Sequence, residues 1–273
     1  MKLDDALARL AHDPAAPLDV AELGLHLARD EYPDLDVEAY LSELDGMAHE
    51  ARRYLRGDLT ARVTGLCRYL FHEMGFHGNA REYYDARNSY LNDVLDRRTG
   101  IPISLSAVTI AVGARAGLLI HGVGLPGHFV VKAVEGSREE LFDPFHGGRR
   151  LSRSDCERLV EQVTGQSFRA TPATLVALPL GPMVARMLNN LKAVYLQSAD
   201  FARAVRVMER LLQLHPADAV QRRDLGASLL HAGRPGKAID QLNAYLAAVP
   251  KAPDVEDVLN LLRQARQQVA AWN

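Results

Sequence analysis

A histidine that opens one short apolar run and an aspartate that closes the next are the residues of this chain best placed to do chemistry together. Gly127-His128 begins Phe-Val-Val-Lys-Ala-Val, and Asp143-Pro144 ends Glu140-Leu-Phe. If the two runs are neighbouring strands, imidazole and carboxylate can hydrogen-bond side by side, and the carboxylate then fixes which ring nitrogen carries the proton. A helix following Gly100-Ile-Pro-Ile-Ser would bring backbone donors and a nucleophile position to the same place. That is the layout of a thiol-transfer triad. The hydroxyls nearest the helix start are Ser104 and Ser106, and Ser104 is there either as an N-cap for a backbone N–H or as a replacement nucleophile.

Other chemistries find less support. His72, His77, His121, His128 and His146 stand among many carboxylates, but no pair has H-E-x-x-H or a comparable ligand spacing, so no metal or other cofactor is expected. A phosphate loop is missing; Gly122-Val-Gly-Leu-Pro-Gly opens a strand instead. Cys67 and Cys156 lie in unrelated contexts without C-x-x-C, which fits a reducing cytoplasm. Cys67 falls on an apolar helix stripe and reads as a small core side chain.

Composition sets the frame. The 273 residues, 48% hydrophobic and 24% charged, exclude collagen, a disulfide scaffold and wholesale disorder. A net charge of −2 argues against general nucleic-acid binding. Residues 1–60 hold 14 acidic against 6 basic side chains, which reads as an acidic helical face on a basic body or in solvent rather than a partner-binding tail. No apolar run approaches 18 residues and the opening Met1–Asp5 lacks a signal-peptide pattern, so no membrane segment is expected and the chain is placed in the cytoplasm.

The elements that must position the pair follow from periodicity. Leu41, Leu44, Met47, Ala48, Ala51, Tyr54 and Leu55 predict one helix closed by Gly57; Thr60 can cap a second, striped by Val63, Leu66, Cys67, Leu70, Phe71 and Met74 and ended by Gly75. Residues 75–103 are crowded with Asn, Asp and Tyr and lack a period until Leu91, which reads equally as an ordered scaffold loop or as a binding surface. A buried helix runs from Ser104 through Ala116, with Gly117 as its C-cap. Three short strands follow as an antiparallel meander, then a helix near 153–164 capped by Ser152, then an apolar linker from Pro172 to Pro182.

The remainder repeats. Leu191, Ala193, Tyr195, Ala204, Leu212 and Pro216 recur 34 residues later as Leu225, Ala227, Leu229, Ala238, Leu246 and Pro250, the period of the tetratricopeptide unit. Two units and a last helix from Pro253 to Trp272 make a short solenoid, whose exposed end should dock on the central domain through Met183-Val-Ala-Arg-Met-Leu.

Gly100 to Gly148 resembles the transglutaminase-like core: a helix starting near Gly-x-Cys, a strand His and a strand Asp-Pro. The longer text is similar to the bacterial SirB-type family, which joins that core to tetratricopeptide repeats. It comprises Phe76-His-Gly-Asn, Arg87-Asn-Ser-Tyr-Leu-Asn-Asp-Val-Leu, Gly100-Ile-Pro-Ile-Ser-Leu, Gly122-Val-Gly-Leu-Pro-Gly-His-Phe and Asp143-Pro-Phe-His-Gly-Gly. The resemblance implies a mostly helical α+β protein with a papain-like central domain carrying a small antiparallel sheet, over residues 1–178, and a C-terminal repeat solenoid over 183–273. It assigns His128 and Asp143 to the catalytic positions, and alignment of Gly100-Ile-Pro with Gly-x-Cys places Pro102 at the nucleophile. The expected function is therefore a nucleophile-less binding or regulatory protein. Asn88, Tyr90, Asn92, Phe129 and His146 would serve a polar cleft, and the repeats would supply the surface for a protein or peptide partner. The alternative is a hydrolase or acyltransferase using Ser104, His128 and Asp143.

Overall fold

The computed structural model describes residues 2–271; Met1 and Trp272, the expected end of the last helix, lie outside the described residues. The fold is α+β. Among the described residues, α1 (Leu3–His12), α2 (Val20–Ala28), α3 (Val37–Ala51) and α4 (Leu59–Cys67) lead through a π-helical turn (Arg68–Glu73) to β1 (His77–Gly78). A 3-10 turn (Ala86–Asn88), α5 (Leu91–Arg97), β2 (Thr99–Gly100) and α6 (Pro102–Ala116) come next. Then follow β3 (Ile120–Leu125), β4 (His128–Glu135), β5 (Arg138–Asp143), a second 3-10 turn (Pro144–His146), β6 (Arg149–Leu151) and α7 (Arg153–Thr164). The chain closes with α8 (Leu180–Gln197), α9 (Phe201–Leu214), α10 (Ala219–His231), α11 (Pro235–Ala248) and α12 (Val255–Ala270).

Two compact units divide these elements: one holds the residues up to Ala6 and Pro14–Met187, the other Leu7–Asp13 and the chain from Leu188 onward. The division falls inside α8, because Met183 and Met187 are buried in the core of the first unit. In that unit the strands form an antiparallel sheet in the order β3-β4-β5-β6, and β1 pairs in parallel with β2. The sequence meander of three strands gains a fourth, β6, because Gly147 and Gly148 both adopt positive φ and reverse the chain after the 3-10 turn. α6 lies under the sheet, packed on β3 and β4 and flanked by α2, α3 and α5. Phe76, Phe129 and Phe142 are fully buried beside it, each worth roughly 1.5–3 kcal/mol of transfer free energy.

Local chemistry explains most element ends. Asp58, not Thr60, caps α4 by accepting the Ala61 N–H at 2.9 Å, and α3 stops at Ala51, ahead of the expected Leu55. α6 starts at Pro102 rather than Ser104, since proline at the first helical position has no N–H to leave unpaired. Ser152 and Asp155 form a reciprocal capping box on α7, and Gly165 ends that helix in the left-handed conformation. The acidic face is partly paired with basic body residues, through Asp19 and Asp45 to Arg115 and Glu43 to Arg98.

In the second unit α9 and α11 lie against α10, with Ala204 and Ala238 fully buried at the crossings. Gly226 is equally necessary: a Cβ there would lie 2.7 Å from the Leu242 side chain, so the α10–α11 approach admits no larger residue. α12 completes the bundle through Val258, Leu262 and the Tyr245 side of α11.

Candidate functional site

Two hairpin-like turns bring the site together. Gly127, at φ 69°, closes the tight turn between β3 and β4, so that Leu125 pairs with His128 and the imidazole stands at the very start of β4. Val131 pairs with Phe142 across β4 and β5, which carries Asp143 to a diagonal neighbour of His128. The side chains meet: His128 Nε2 donates to Asp143 Oδ2 at 2.8 Å, with His128 5% and Asp143 1% exposed. A second imidazole reaches the same oxygen, His146 Nδ1 donating at 2.7 Å from the 3-10 turn. The other carboxylate oxygen accepts the Phe145 N–H at 2.9 Å, which fixes the carboxylate plane.

Burial alone would push the Asp143 carboxyl up, but the hydrogen bonds from His128 and then His146 outweigh it and hold it at about 2. His146 is raised above the ordinary imidazole value, chiefly by its hydrogen bond to Asp143. The carboxylate is thus charged at neutral pH and acts as acceptor for both rings. Phe145 stands edge-on to His128 and to Tyr83, at centroid distances of 6.0 and 6.3 Å. Its ring is seated on Gly78, where a Cβ would come within 2.5 Å.

Residues 38–189 match the transglutaminase-like superfamily and residues 191–263 the tetratricopeptide repeat. The chain belongs to the transglutaminase-like superfamily. Among its relatives is a UPF0162 protein of Xylella fastidiosa, 36% identical over 250 residues covering 88% of each chain. A UPF0162 protein of Pasteurella multocida is 25% identical across 81% of this chain and 90% of its own. Human F-box only protein 21 is 31% identical over 153 residues, 53% of this chain and 23% of that one. A crystal structure of menin, titled for its binding site for the Mixed Lineage Leukemia protein, aligns over 96% of this chain and 74% of its own at 11% identity. Its TM-score is 0.40, too low to carry an argument.

Against the transglutaminase-like pattern, the start of α6 is the decisive place. Pro102 is its first residue, buried, with no atom that can attack or take a proton. Ser104, the nearest candidate hydroxyl, is bonded to backbone. It is the third residue of the helix and is fully buried; its hydroxyl donates to the Asn88 carbonyl at 2.6 Å and accepts the Ile101 N–H at 3.0 Å. Among the described residues no hydrogen bond joins it to His128. Ser106 likewise turns back on its own helix, donating to the Pro102 carbonyl. Both hydroxyls are bonded to backbone: Ser104 accepts the unpaired Ile101 N–H at the helix start, and Ser106 donates to the carbonyl four residues back in its own helix.

In the polar segment 75–103, read equally as a scaffold loop or a binding surface, the expected binding residues are largely buried. Asn88 is fully buried and braces the loop, its Nδ2 donating to the Glu82 carbonyl at 2.6 Å and its Oδ1 accepting from Asn79 at 3.2 Å. Tyr90 is 6% exposed and packs edge-on to Tyr32; Asn92 is 4% exposed, with its Oδ1 buried and unpartnered. All three are buried. Phe129 is also buried, beneath the Arg186 guanidinium at 5.4 Å and against Gly122. Of the expected binding residues only His146, whose side chain is 49% exposed, faces solvent.

Sequence reasoning missed Arg186, which donates to the carbonyls of Leu125 and His128 at 2.9 and 2.5 Å and so pins the turn that presents His128. Its guanidinium is held below its ordinary pKa by burial. The signal was an arginine inside the apolar stretch 183–188, where a charge has to be buried for a reason. Cys67 is buried, as its helix stripe implied, and burial pushes its thiol up to about 12. Among the described residues no helix is long and apolar enough to cross a membrane.

Proposed function

We propose that this protein is a non-catalytic binding protein: a transglutaminase-like domain without a nucleophile, carrying tetratricopeptide repeats that dock a protein or peptide partner. The observation that carries the reading is Pro102 at the first position of α6, with the Ser104 and Ser106 hydroxyls both bonded to backbone. An enzyme of the triad type loses most of its rate with its nucleophile, whatever His and Asp remain. His128 and Asp143 then serve as a buried link between β4 and the 3-10 turn. Both cysteines are free thiols, which supports a reducing, cytoplasmic setting.

The repeats contribute a polar face on the first helix of each pair. Lys192 on α8 donates to Gln221 and Asp224 on α10 at 2.9 and 2.7 Å, and Arg223 joins Asp224 to Asp254 at the start of α12. Gln221 Nε2 is buried without a partner, a donor aimed at no protein acceptor. A mixed-charge face of this kind supports recognition of a peptide that carries polar and charged side chains.

Amine-incorporation and peptide-hydrolysis assays on the full chain should give no turnover above background. A Pro102→Cys variant restores a thiol at the helix N-terminus, and turnover that depends on His128 should appear in it and not in the wild type. Turnover by the wild type that disappears in His128→Ala would overturn the non-catalytic reading. Partner capture that survives Arg223→Glu undiminished would remove the repeat face from it.

A further inference from the structure

We propose that His128, Asp143 and His146 form a binding site for a divalent transition-metal ion of the zinc class. The three residues offer two imidazole nitrogens and one carboxylate oxygen, all within 4.8 Å of one another. His128 comes from the start of β4, Asp143 from the end of β5 and His146 from the turn beyond, so the cluster belongs to two separate strands and a turn rather than to one flexible segment.

The hydrogen-bond pattern points the same way. Both imidazoles direct a nitrogen at a single oxygen, Asp143 Oδ2, at 2.8 and 2.7 Å. Without an ion each gap must hold a proton. An ion about 2.0–2.2 Å from each donor, with tetrahedral angles, needs the donors about 3.3–3.5 Å apart. The two nitrogens therefore have to withdraw from the oxygen by roughly 0.6 Å. The His146 side chain is half exposed and sits on a turn ended by two glycines of positive φ, so its gap opens by moving the ring outward, while the His128 gap opens by a small rotation of the Asp143 carboxylate against the buried ring.

The surroundings resemble a supporting shell. Oδ1 of Asp143 is fixed by the Phe145 N–H at 2.9 Å, leaving Oδ2 as the free donor, as metal-ligating carboxylates are commonly oriented. A polar cavity of about 100 Å3 opens beside Asp143 and His146 towards Asp155 and Gln162 of α7, with room for the water that a three-residue site requires in its fourth position. The cations at its mouth, Arg149 and Arg158, are both tied to Asp155, at 3.1 and 2.7 Å. Two nitrogens and one oxygen suit Zn2+, Co2+ or Ni2+, whereas Ca2+ and Mg2+ prefer oxygen alone.

The inference is independent of the binding reading above and is tested by metal binding alone. Chelator-treated full-length protein is titrated with Zn2+ by calorimetry, and separately with Co2+, whose visible absorption reports coordination. One ion should bind per chain, with an intense four-coordinate Co2+ spectrum. His146→Ala, at a half-exposed position that should leave the fold intact by circular dichroism, should weaken Zn2+ by more than about 100-fold, beyond the 10–100-fold typical of losing a supporting contact. His121→Ala, remote from the cluster, should change nothing, and Asp143→Asn should abolish the Co2+ bands. Absence of Zn2+ binding, a His146→Ala affinity within about tenfold of the wild type, or a six-coordinate Co2+ spectrum would overturn the assignment.

Discussion

Replacing Ser104 with alanine separates a structural from a catalytic serine. The hydroxyl accepts the Ile101 N–H at 3.0 Å and donates to the Asn88 carbonyl at 2.6 Å, and Ile101, Asn88 and Ser104 are 2%, 0% and 0% exposed. Removing it strands one donor and one acceptor in the interior, at about 1–3 kcal/mol each. The space left is a single oxygen, below the roughly 10–15 Å3 a water needs, so no solvent molecule replaces it. Because the two groups share one hydroxyl, the costs do not simply add, and about 2–4 kcal/mol is expected for the pair. Two units in one chain make a global unfolding midpoint hard to interpret, so the assay is amide hydrogen exchange resolved along the full-length protein. At 1.4 kcal/mol per decade, protection of the Ile101 amide should fall about 30- to 700-fold. Amides in α12 should not change. A loss of protection below about threefold would refute the argument that Ser104 holds the start of α6. Any turnover that vanishes with the hydroxyl while Ile101 stays protected would restore Ser104 as a nucleophile.

Gly148→Ala should destabilise the first unit by at least about 1–3 kcal/mol, since its Cβ would meet Cys67 Sγ at 2.5 Å and Phe71 at 2.8 Å at a φ of 76°. Cys67→Ala should relieve part of that penalty in a double-mutant cycle read by exchange in α4; strict additivity would show that the contact is not the cause. Burial pushes the Cys67 thiol up to about 12 and the Cys156 thiol up to about 11. At pH 8 the reactive thiolate is then about 1 part in 10,000 and 1 in 1,000, and iodoacetamide labelling of the native protein should be slow, rise with pH and become rapid in denaturant. Labelling of native protein at the rate of a free thiol would contradict the burial. Lys192→Met should cost the second unit about 1 kcal/mol, because Gln221 Oε1 loses its donor while Asp224 keeps Arg223; exchange rates in α10 that do not rise would count against it.

What could be read from the sequence was whatever is specified within a few residues. Ser152 and Asp155 form their capping box three apart, Gly165 follows the helix it ends, and α7 therefore has the bounds its sequence implied. The 34-residue period likewise places small Ala204 and Ala238 at helix crossings, where both are fully buried. Gly127 and Pro144 mark turns beside His128 and Asp143, so their meeting across β4 and β5 followed from strand pairing alone. Interactions spanning greater separations left no local mark. Ser104 looked like an N-cap because it stands near a helix start, yet its acceptor is the carbonyl of Asn88, 16 residues earlier. Asn88 and Asn92 looked like cleft residues because polarity in a loop suggests exposure. Polarity says only that a group needs partners, and Asn88 finds them within the loop, through Glu82 and Asn79. His146 is the converse: no metal spacing links it to His128, but a 3-10 turn capped by Asp143 itself folds it back onto the carboxylate. A ligand motif in sequence registers donors that one helix or one loop brings together, and donors assembled by a strand pair and the turn beyond it have no fixed offset to find. The same carboxylate caps the turn through Oδ1 and gathers both imidazoles through Oδ2, so the backbone geometry that ends β5 is also what builds the cluster.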